Sequence, residues 1–200
     1  MKNIIVIFII LFNTVNITAQ SVVFDIRESG FGKPTGYYRK DMNNLLNQFE
    51  GTYVYTNGNK TFTITLVKKI MQPNLNYYED MIIGEYQYSL NGVVQQNTMA
   101  NLNTIYNNQY LNHGIVSSNI IYKTIGRIWN CPQCNPNEKR LSAKIRDKNT
   151  ERLADFLMRR TVINGQQVLQ VKIDNVMPDF EKPNAPDFSL PMGEFTMIKQ

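Results

Sequence analysis

The chain has 200 residues and a formal net charge of +5; 42% of its residues are hydrophobic and 18% are charged. These values are ordinary for a globular protein, and the length suffices for one domain with a sizeable core. Lysine and arginine are scattered along the chain instead of forming a basic cluster, which argues against nucleic-acid binding.

The first residues have the pattern of a signal peptide. Lys2 is followed by the nine-residue apolar run Ile4–Phe12, and Thr18-Ala19-Gln20 offers small residues for cleavage. The run is shorter than the roughly 20 apolar residues of a transmembrane helix. We therefore expect a signal peptide over residues 1–20, cleavage near Ala19-Gln20 and no transmembrane anchor. A single β domain over residues 21–200 would then lie in the periplasm or outside the cell.

A short helix is predicted ahead of the first long strand. Apolar residues recur there at the i, i+3, i+4 and i+7 spacing of one helical face: Met42, Leu45, Leu46 and Phe49. Asp41 can accept backbone N–H groups as an N-cap. The pattern predicts a helix over residues 41–49.

Three Asn-Gly pairs lie between extended runs and predict β-hairpins: Asn57-Gly58, Asn91-Gly92 and Asn164-Gly165. Asn followed by Gly tolerates the positive φ angles that a two-residue hairpin turn requires. In the third hairpin, Met158 should lie opposite Val171, although the start of that strand also fits helical spacing.

The first hairpin has the clearest alternation. Thr61–Leu66 alternates between threonine and large apolar residues, which indicates one buried face and one solvated face. A two-residue turn places Tyr53 and Tyr55 on the same face as Phe62 and Ile64, so turn geometry and burial require the same register.

Further strands are expected at Val22–Ile26, Ile115–Ile128, Leu141–Arg146 and Glu194–Lys199, and all eight prolines lie outside the predicted strands. Eight to ten short strands joined by tight turns predict an all-β fold. We favour an antiparallel up-and-down, lipocalin-like barrel with a short N-terminal helix, and a β-sandwich is the alternative.

The two cysteines lie in the motif Cys131-Pro132-Gln133-Cys134. A redox-active pair usually begins a helix, and no helix signal follows this one; a zinc site would need two more ligands. In an oxidising compartment, cysteines this close are expected to form a structural disulfide. Redox chemistry and metal binding remain as alternatives.

The sequence identifies no catalytic residue, metal ligand or cofactor site. His113 is the single histidine and lies in the turn-like context Asn112-His113-Gly114, where an ordinary loop histidine is the simplest interpretation. Enzymatic activity is therefore undecided, and its absence is favoured.

Aromatic residues offer the main candidate ligand site. If the face of Tyr86 and Tyr88 points into a barrel, these side chains could line a cavity together with Tyr53, Tyr55 and Phe62. Ordinary core packing is the alternative.

Two resemblances support these expectations. The segment from Leu46 through Phe49-Glu50-Gly51 to Tyr53 resembles the opening of lipocalins and fatty-acid-binding proteins, with Tyr53 where tryptophan is usual. The whole chain resembles an uncharacterised family of exported flavobacterial proteins. This second resemblance rests on the Ala19-Gln20 end of the signal peptide, the Phe49–Tyr53 segment, Gly84-Glu85-Tyr86 and the terminal stretch Gly193–Gln200. The second resemblance implies export and a β fold, and no activity.

The leading functional hypothesis is a non-enzymatic, lipocalin-like binder of a small apolar or amphipathic ligand. It rests on fold analogy, which is a weak basis for function. The alternative is an envelope or surface interaction module with a solid core and an envelope component as its partner.

Overall fold

The computed structural model describes residues 21–122, 129–135, 137–178 and 186–200, so the predicted signal peptide lies outside the described residues. Strands make up 54% of the described residues. The strands are β1 Val23–Asp25, β2 Tyr38–Lys40, β3 Gly51–Asn57, β4 Lys60–Asn74, β5 Tyr77–Leu90, β6 Val93–Asn97, β7 Ile115–Tyr122, β8 Lys139–Arg146, β9 Leu153–Ile163, β10 Gln166–Asp174 and β11 Gly193–Lys199.

Eight of these strands form a closed antiparallel barrel, which confirms the predicted fold. The barrel follows chain order through β3, β4, β5 and β7 to β11, and β11 returns to β3 through the pairs Ile198–Val54 and Lys199–Tyr53. Strands β2 and β6 pair with the two ends of β5, outside the barrel path, and β1 extends the sheet next to β2. The predicted strand Ile115–Ile128 is observed as far as Tyr122, and residues 123–128 lie outside the described residues.

The hairpin registers agree with the predicted faces. Tyr53 lies opposite Ile64, Tyr55 opposite Phe62, and Met158 opposite Val171. In the second and third hairpins Asn and Gly occupy the two turn positions as predicted. The first turn differs by one residue: Asn57 pairs with Lys60, so the turn residues are Gly58 and Asn59. Glycine at the first turn position suits a type II′ turn, and the shift leaves the faces unchanged because the loop still has two residues.

The predicted helix over residues 41–49 is wrong; only Asn47–Phe49 forms a short 3₁₀ turn. Asn44 adopts φ +53°, which interrupts any helix at its middle. Asp41 still caps the segment, because its carboxylate accepts the backbone N–H groups of Leu45 (2.8 Å) and Leu46 (2.9 Å). The remaining turn buries Leu46 and Phe49 in the main core cluster.

Gly84 allows β4, β5 and β7 to approach one another closely. A Cβ atom there would lie 2.6 Å from Leu66 Cδ2, 3.0 Å from the Thr65 carbonyl oxygen and 3.2 Å from Ile115 Cβ. Any larger residue would therefore displace the wall of the barrel at this point.

Two segments cover the outside of the barrel. The turn α1 (Gln109–Asn112) and its flanking residues cover a small apolar cluster of Met81, Ile83 and Val116, against which Tyr110 packs. On another part of the wall, Trp129 from the β7–β8 connection packs with Ile121 and Leu157. The barrel therefore carries apolar clusters on both sides of its wall.

Candidate functional site

The five aromatic residues predicted to bind ligand are brought together by the barrel. Tyr53, Phe62, Tyr86 and Tyr88 belong to the main core cluster, and Tyr55 is half-buried against it. The ring of Phe62 lies 5.8 Å from that of Tyr86 and 6.3 Å from that of Tyr88. Tyr53, Phe62 and Tyr86 have no exposed surface, so these rings serve as packing for the barrel interior.

The hydroxyl groups of the buried tyrosines are directed at protein groups. The Tyr53 hydroxyl donates to the Phe49 carbonyl oxygen (3.1 Å), and burial raises the pKa of Tyr53 to about 12. The Tyr86 hydroxyl contacts Gln96 Oε1 (2.8 Å) and the Arg146 carbonyl oxygen (2.7 Å), and burial raises its pKa as well. Both hydroxyls therefore connect the core to the ends of the barrel.

Asp147 is the centre of a buried polar network at the Tyr86 end. Its Oδ1 accepts hydrogen bonds from Gln96 Nε2 (2.8 Å) and the Asn149 backbone N–H (2.9 Å). Its Oδ2 accepts both the backbone N–H and the hydroxyl of Ser189. Burial by itself raises the pKa of Asp147, but the hydrogen bonds from Ser189, Asn149 and Gln96 outweigh it and hold the pKa below its ordinary value. The network ties four segments of the chain together at this end.

The predicted disulfide is present between Cys131 and Cys134. Both half-cystines are buried, and the Cys134 N–H donates to the Cys131 carbonyl oxygen (3.1 Å), which closes a tight turn. Trp129 lies two residues before Cys131, and Gln133 lies within the turn. The disulfide therefore fixes the part of the β7–β8 connection that covers the barrel wall.

The disulfide turn and strands β10 and β11 enclose a cleft of about 150 Å³ on the outer wall, which we name the Trp129 cleft. Most of the side chains at its surface are polar. The lining residues are Trp129, Gln133, Gln170, Val171, Glu194, Phe195 and Thr196.

Strand alternation places the polar side chains of this cleft. Gln170 lies opposite Thr196 and Lys172 opposite Glu194, whereas the intervening pair, Val171 and Phe195, packs in or against the core. Alternate residues of a strand point to opposite faces, so the wall is apolar inside and polar in the cleft.

Hydrogen bonds and one cation–π contact hold the cleft in shape. Trp129 Nε1 donates to Glu194 Oε1 (3.2 Å), and Arg159 Nη1 donates to Gln170 Oε1 (2.7 Å). Arg140 Nη1 donates to the Trp129 carbonyl oxygen (2.8 Å), and its guanidinium lies 5.6 Å from the indole ring. Burial lowers the pKa of Arg140. Glu138 pairs with Arg159, so the cations next to the cleft are engaged with protein groups.

His113, expected to be an ordinary loop residue, is buried on another part of the wall. Its Nδ1 lies 2.8 Å from Glu85 Oε1 and its Nε2 lies 2.5 Å from Gln109 Oε1. Both ring nitrogens are therefore occupied, and the contact fastens α1 to β5. A cavity of about 70 Å³ beside it is lined by His113, Lys144 and Arg146 among others. No sequence pattern predicts this pair, because Glu85 and His113 are 28 positions apart.

The described residues contain no group of three or more His, Cys, Asp or Glu side chains arranged to hold a metal ion. Over residues 21–122, 129–135, 137–178 and 186–200, no helix is long and apolar enough to cross a membrane.

Sequence reasoning missed the Trp129 cleft. Its residues come from three separate stretches of the chain, and the one motif among them, the cysteine pair around Gln133, does not indicate a cleft. The alternation of Gln170, Lys172, Glu194 and Thr196 with apolar residues was the available signal, but it predicts only an exposed strand face.

Comparisons with known proteins give a family and no activity. Searches of curated proteins and of solved structures found no match. A family model described as a family of unknown function matches residues 1–200, and the chain therefore belongs to this family, DUF6705.

Proposed function

We propose that this protein is a non-enzymatic binding protein whose barrel is a rigid scaffold and whose ligand site is the Trp129 cleft. The observation that carries the proposal is the contrast in polar groups. The cleft offers amide, carboxylate and hydroxyl groups around an aromatic residue, and Gln133, Glu194 and Thr196 are exposed to solvent. The interior hydroxyls of Tyr53 and Tyr86 are instead buried against protein partners. A pocket with a few convergent polar groups is the usual form of a small-ligand site.

The lining residues favour a small, hydroxyl-rich ligand. Gln133 and Gln170 provide both donors and acceptors, Thr196 adds a hydroxyl, and Glu194 is an acceptor that disfavours anions. The volume of about 150 Å³ accommodates roughly one sugar ring. A neutral monosaccharide or similar polyol fits this chemistry best.

The proposal places the protein outside the cytoplasm. The signal-peptide pattern of residues 1–20 supports export, and a disulfide is compatible with the periplasm or the extracellular space. A ligand site that depends on the disulfide turn would then form only after export.

Binding of a small apolar ligand inside the barrel is the second candidate. It is favoured by the convergence of Tyr53, Phe62, Tyr86 and Tyr88 in one cluster, with half-buried Tyr55 at its edge. An apolar ligand would have to displace these packed rings, which makes the interior the less favourable site.

The single tryptophan provides a direct test. Its indole N–H gives one resolved signal in a two-dimensional ¹H–¹⁵N NMR spectrum. We expect glucose, galactose or N-acetylglucosamine to shift this signal saturably, together with the backbone amides of Gln133, Gln170 and Thr196. The variant Thr196→Val should weaken binding about fivefold, because a lost hydrogen bond contributes about 1 kcal/mol.

The matched control is Thr63→Val, on the outer wall of β4 and remote from the cleft. It should leave the affinity unchanged. The apolar probe 8-anilinonaphthalene-1-sulfonate tests the barrel interior. If it shifts only the core amides near Phe62 and Tyr86, the ligand site is the interior and not the cleft. An unperturbed indole signal with every sugar would reject the cleft as a polyol site.

A further inference from the structure

The hairpin between β9 and β10 projects beyond the strands beside it. The last β9 residue that pairs with β8 is Met158, and the first β10 residue that pairs with β11 is Val168. The tip over residues 162–167 is therefore a two-stranded ribbon that no other described strand flanks. Val162 and Ile163 at this tip are 57% and 39% exposed, so packing adds little to its stability. Because an isolated two-stranded hairpin is only marginally stable in water, we expect this tip to open locally.

The turn of this hairpin carries Asn164-Gly165, the last of the three Asn-Gly pairs. Both residues are exposed, and among the described residues none forms a hydrogen bond with the Asn164 side chain. Asparagine deamidates most readily before glycine, because glycine has no Cβ to keep its backbone nitrogen away from the asparagine side chain. An unrestrained Asn-Gly pair on a tip that opens is therefore a candidate for covalent modification.

The Asn91-Gly92 turn is held more firmly than this tip. The Asn91 N–H donates to the Asn59 carbonyl oxygen (2.8 Å), and Asn91 Oδ1 accepts a hydrogen bond from Asn59 Nδ2 (2.6 Å). Leu90, the residue before the turn, pairs with both Lys60 of β4 and Val93 of β6. Strand β5 therefore enters this turn with a neighbouring strand on each side, and the asparagine side chain is bound as well.

The Asn57-Gly58 pair is also restrained. Asn57 lies in the strand ladder opposite Lys60, and its Nδ2 donates to the hydroxyl oxygen of Tyr55 (3.0 Å). Since Lys60 also pairs with Leu90, the sheet is three strands wide at this turn. The same dipeptide thus occurs at three exposed positions, and only at Asn164 are both the strands and the side chain unrestrained by neighbours among the described residues.

We propose that Asn164 is the site at which this protein is modified by deamidation, and that the fold protects Asn57 and Asn91. In the open tip, the backbone nitrogen of Gly165 loses its proton and attacks Cγ of Asn164. The bond between Cγ and the side-chain nitrogen breaks, and that nitrogen leaves as ammonia. Water then opens the resulting succinimide ring at either carbonyl group, which gives aspartate or isoaspartate. Water is the only reactant consumed.

The modification changes both charge and backbone at the tip. Either product replaces a neutral amide by a carboxylate, so the formal net charge of +5 falls by one. Isoaspartate also inserts one more atom into the backbone of a two-residue turn, whose length sets the hairpin register. The pairs Ile163–Gln166 and Val162–Gln167 should therefore be lost in that product. This inference does not depend on ligand binding in the Trp129 cleft.

Peptide mass spectrometry measures the three sites in one sample. The folded protein is incubated at mildly alkaline pH in water enriched in ¹⁸O, which labels only the products formed during the incubation. A reaction that requires local opening follows the population of the open form when closing is fast. We therefore expect Asn164 to deamidate at least about tenfold faster than Asn57 and Asn91. In urea the three sites should react at similar rates, because each asparagine precedes glycine.

Two variants test the restraint at each turn. The double variant Val162→Cys, Gln167→Cys joins opposite positions of the tip by a disulfide, and should slow deamidation of Asn164 about tenfold because the tip can no longer open. The matched control is Asn59→Ala, which removes the hydrogen bond to Asn91 Oδ1. It should accelerate Asn91 about fivefold, the factor that corresponds to one lost hydrogen bond, and leave the rate at Asn164 unchanged.

Two results would overturn the proposal. One is folded protein in which Asn164 deamidates no faster than Asn91. The other is a preference for Asn164 that persists undiminished in urea, since the local sequence and not the fold would then select the site.

Discussion

Tyr86 and Gln170 are both polar residues on strands of the same barrel, but their surroundings differ. Inside the barrel, the Tyr86 hydroxyl is buried and surrounded by Gln96, Arg146 and Lys148. On the outer wall, Gln170 borders a cleft of about 150 Å³. This barrel therefore uses its interior polar groups to fasten its own ends and keeps solvent-accessible polar groups on its outer wall.

The largest effect should come from opening the interior. Phe62→Ala removes a fully buried ring between Tyr86, Tyr88 and Phe195, and should lower the free energy of unfolding by about 3–5 kcal/mol. Urea denaturation measures this loss. The control is Phe31→Ala at an exposed position, which should lower the free energy of unfolding by less than about 0.5 kcal/mol. A small loss for Phe62→Ala would mean that the interior is loosely packed and suited to a ligand.

The buried network at the Tyr86 end should be the next most sensitive. In Asp147→Asn, the hydrogen-bond donors of Ser189 and Gln96 face a side-chain amide instead of a carboxylate. The free energy of unfolding should therefore fall by about 2–3 kcal/mol at pH 7. Asp174→Asn, on the surface beside Lys172, should change stability little.

The same carboxylate predicts a pH dependence. Because the pKa of Asp147 is lower in the folded protein than its ordinary value of 3.8, its contribution is complete above that value and is lost as the pH falls through the folded pKa. Denaturation of the wild type below pH 4 should therefore be steeper than that of Asp147→Asn. Parallel curves for the two proteins would contradict the role of Asp147.

Removal of the disulfide should have a smaller effect, concentrated in the cleft. The loop between Cys131 and Cys134 is short, so the double variant Cys131→Ser, Cys134→Ser should lose only about 1–2 kcal/mol of stability. The Trp129 indole signal should move, because the turn next to it is released. A large stability loss with an unchanged indole signal would show that the disulfide supports the barrel and not the cleft.

The smallest effect is expected for Glu194→Gln. It weakens the hydrogen bond from Trp129 Nε1 (3.2 Å) at an exposed position, with a stability change of about 0.5 kcal/mol. The indole proton should still shift, since a neutral acceptor replaces a carboxylate. If the shift is absent, the indole contacts solvent instead of Glu194, and the cleft has another shape in solution.

The strands and their faces could be predicted because they depend on local chemistry. The alternation of Thr61–Leu66 indicated which residues of β4 are buried, and the Asn164-Gly165 turn set the register of the third hairpin. In the second hairpin the Asn91-Gly92 turn set the first two pairs, and a bulge at Tyr88 and Ser89 then shifts the register. The helix over residues 41–49 was wrong because a periodic pattern does not reveal that Asn44 adopts a left-handed conformation.

The disulfide could also be predicted, since two cysteines three positions apart can pair without help from the fold. The structure places the candidate aromatic residues in or against one cluster, but the sequence could not state whether a cavity remains between them. Packing density depends on how side chains from different strands interdigitate.

The sequence by itself determined an all-β chain, its hairpin faces and the cysteine pair, because turn residues, strand alternation and short spacings act over a few positions. Only the tertiary structure decided that Glu85 meets His113, that Asp147 meets Ser189, and that Trp129 meets Glu194. These partners are between 28 and 65 positions apart, and closure of the barrel brings them together.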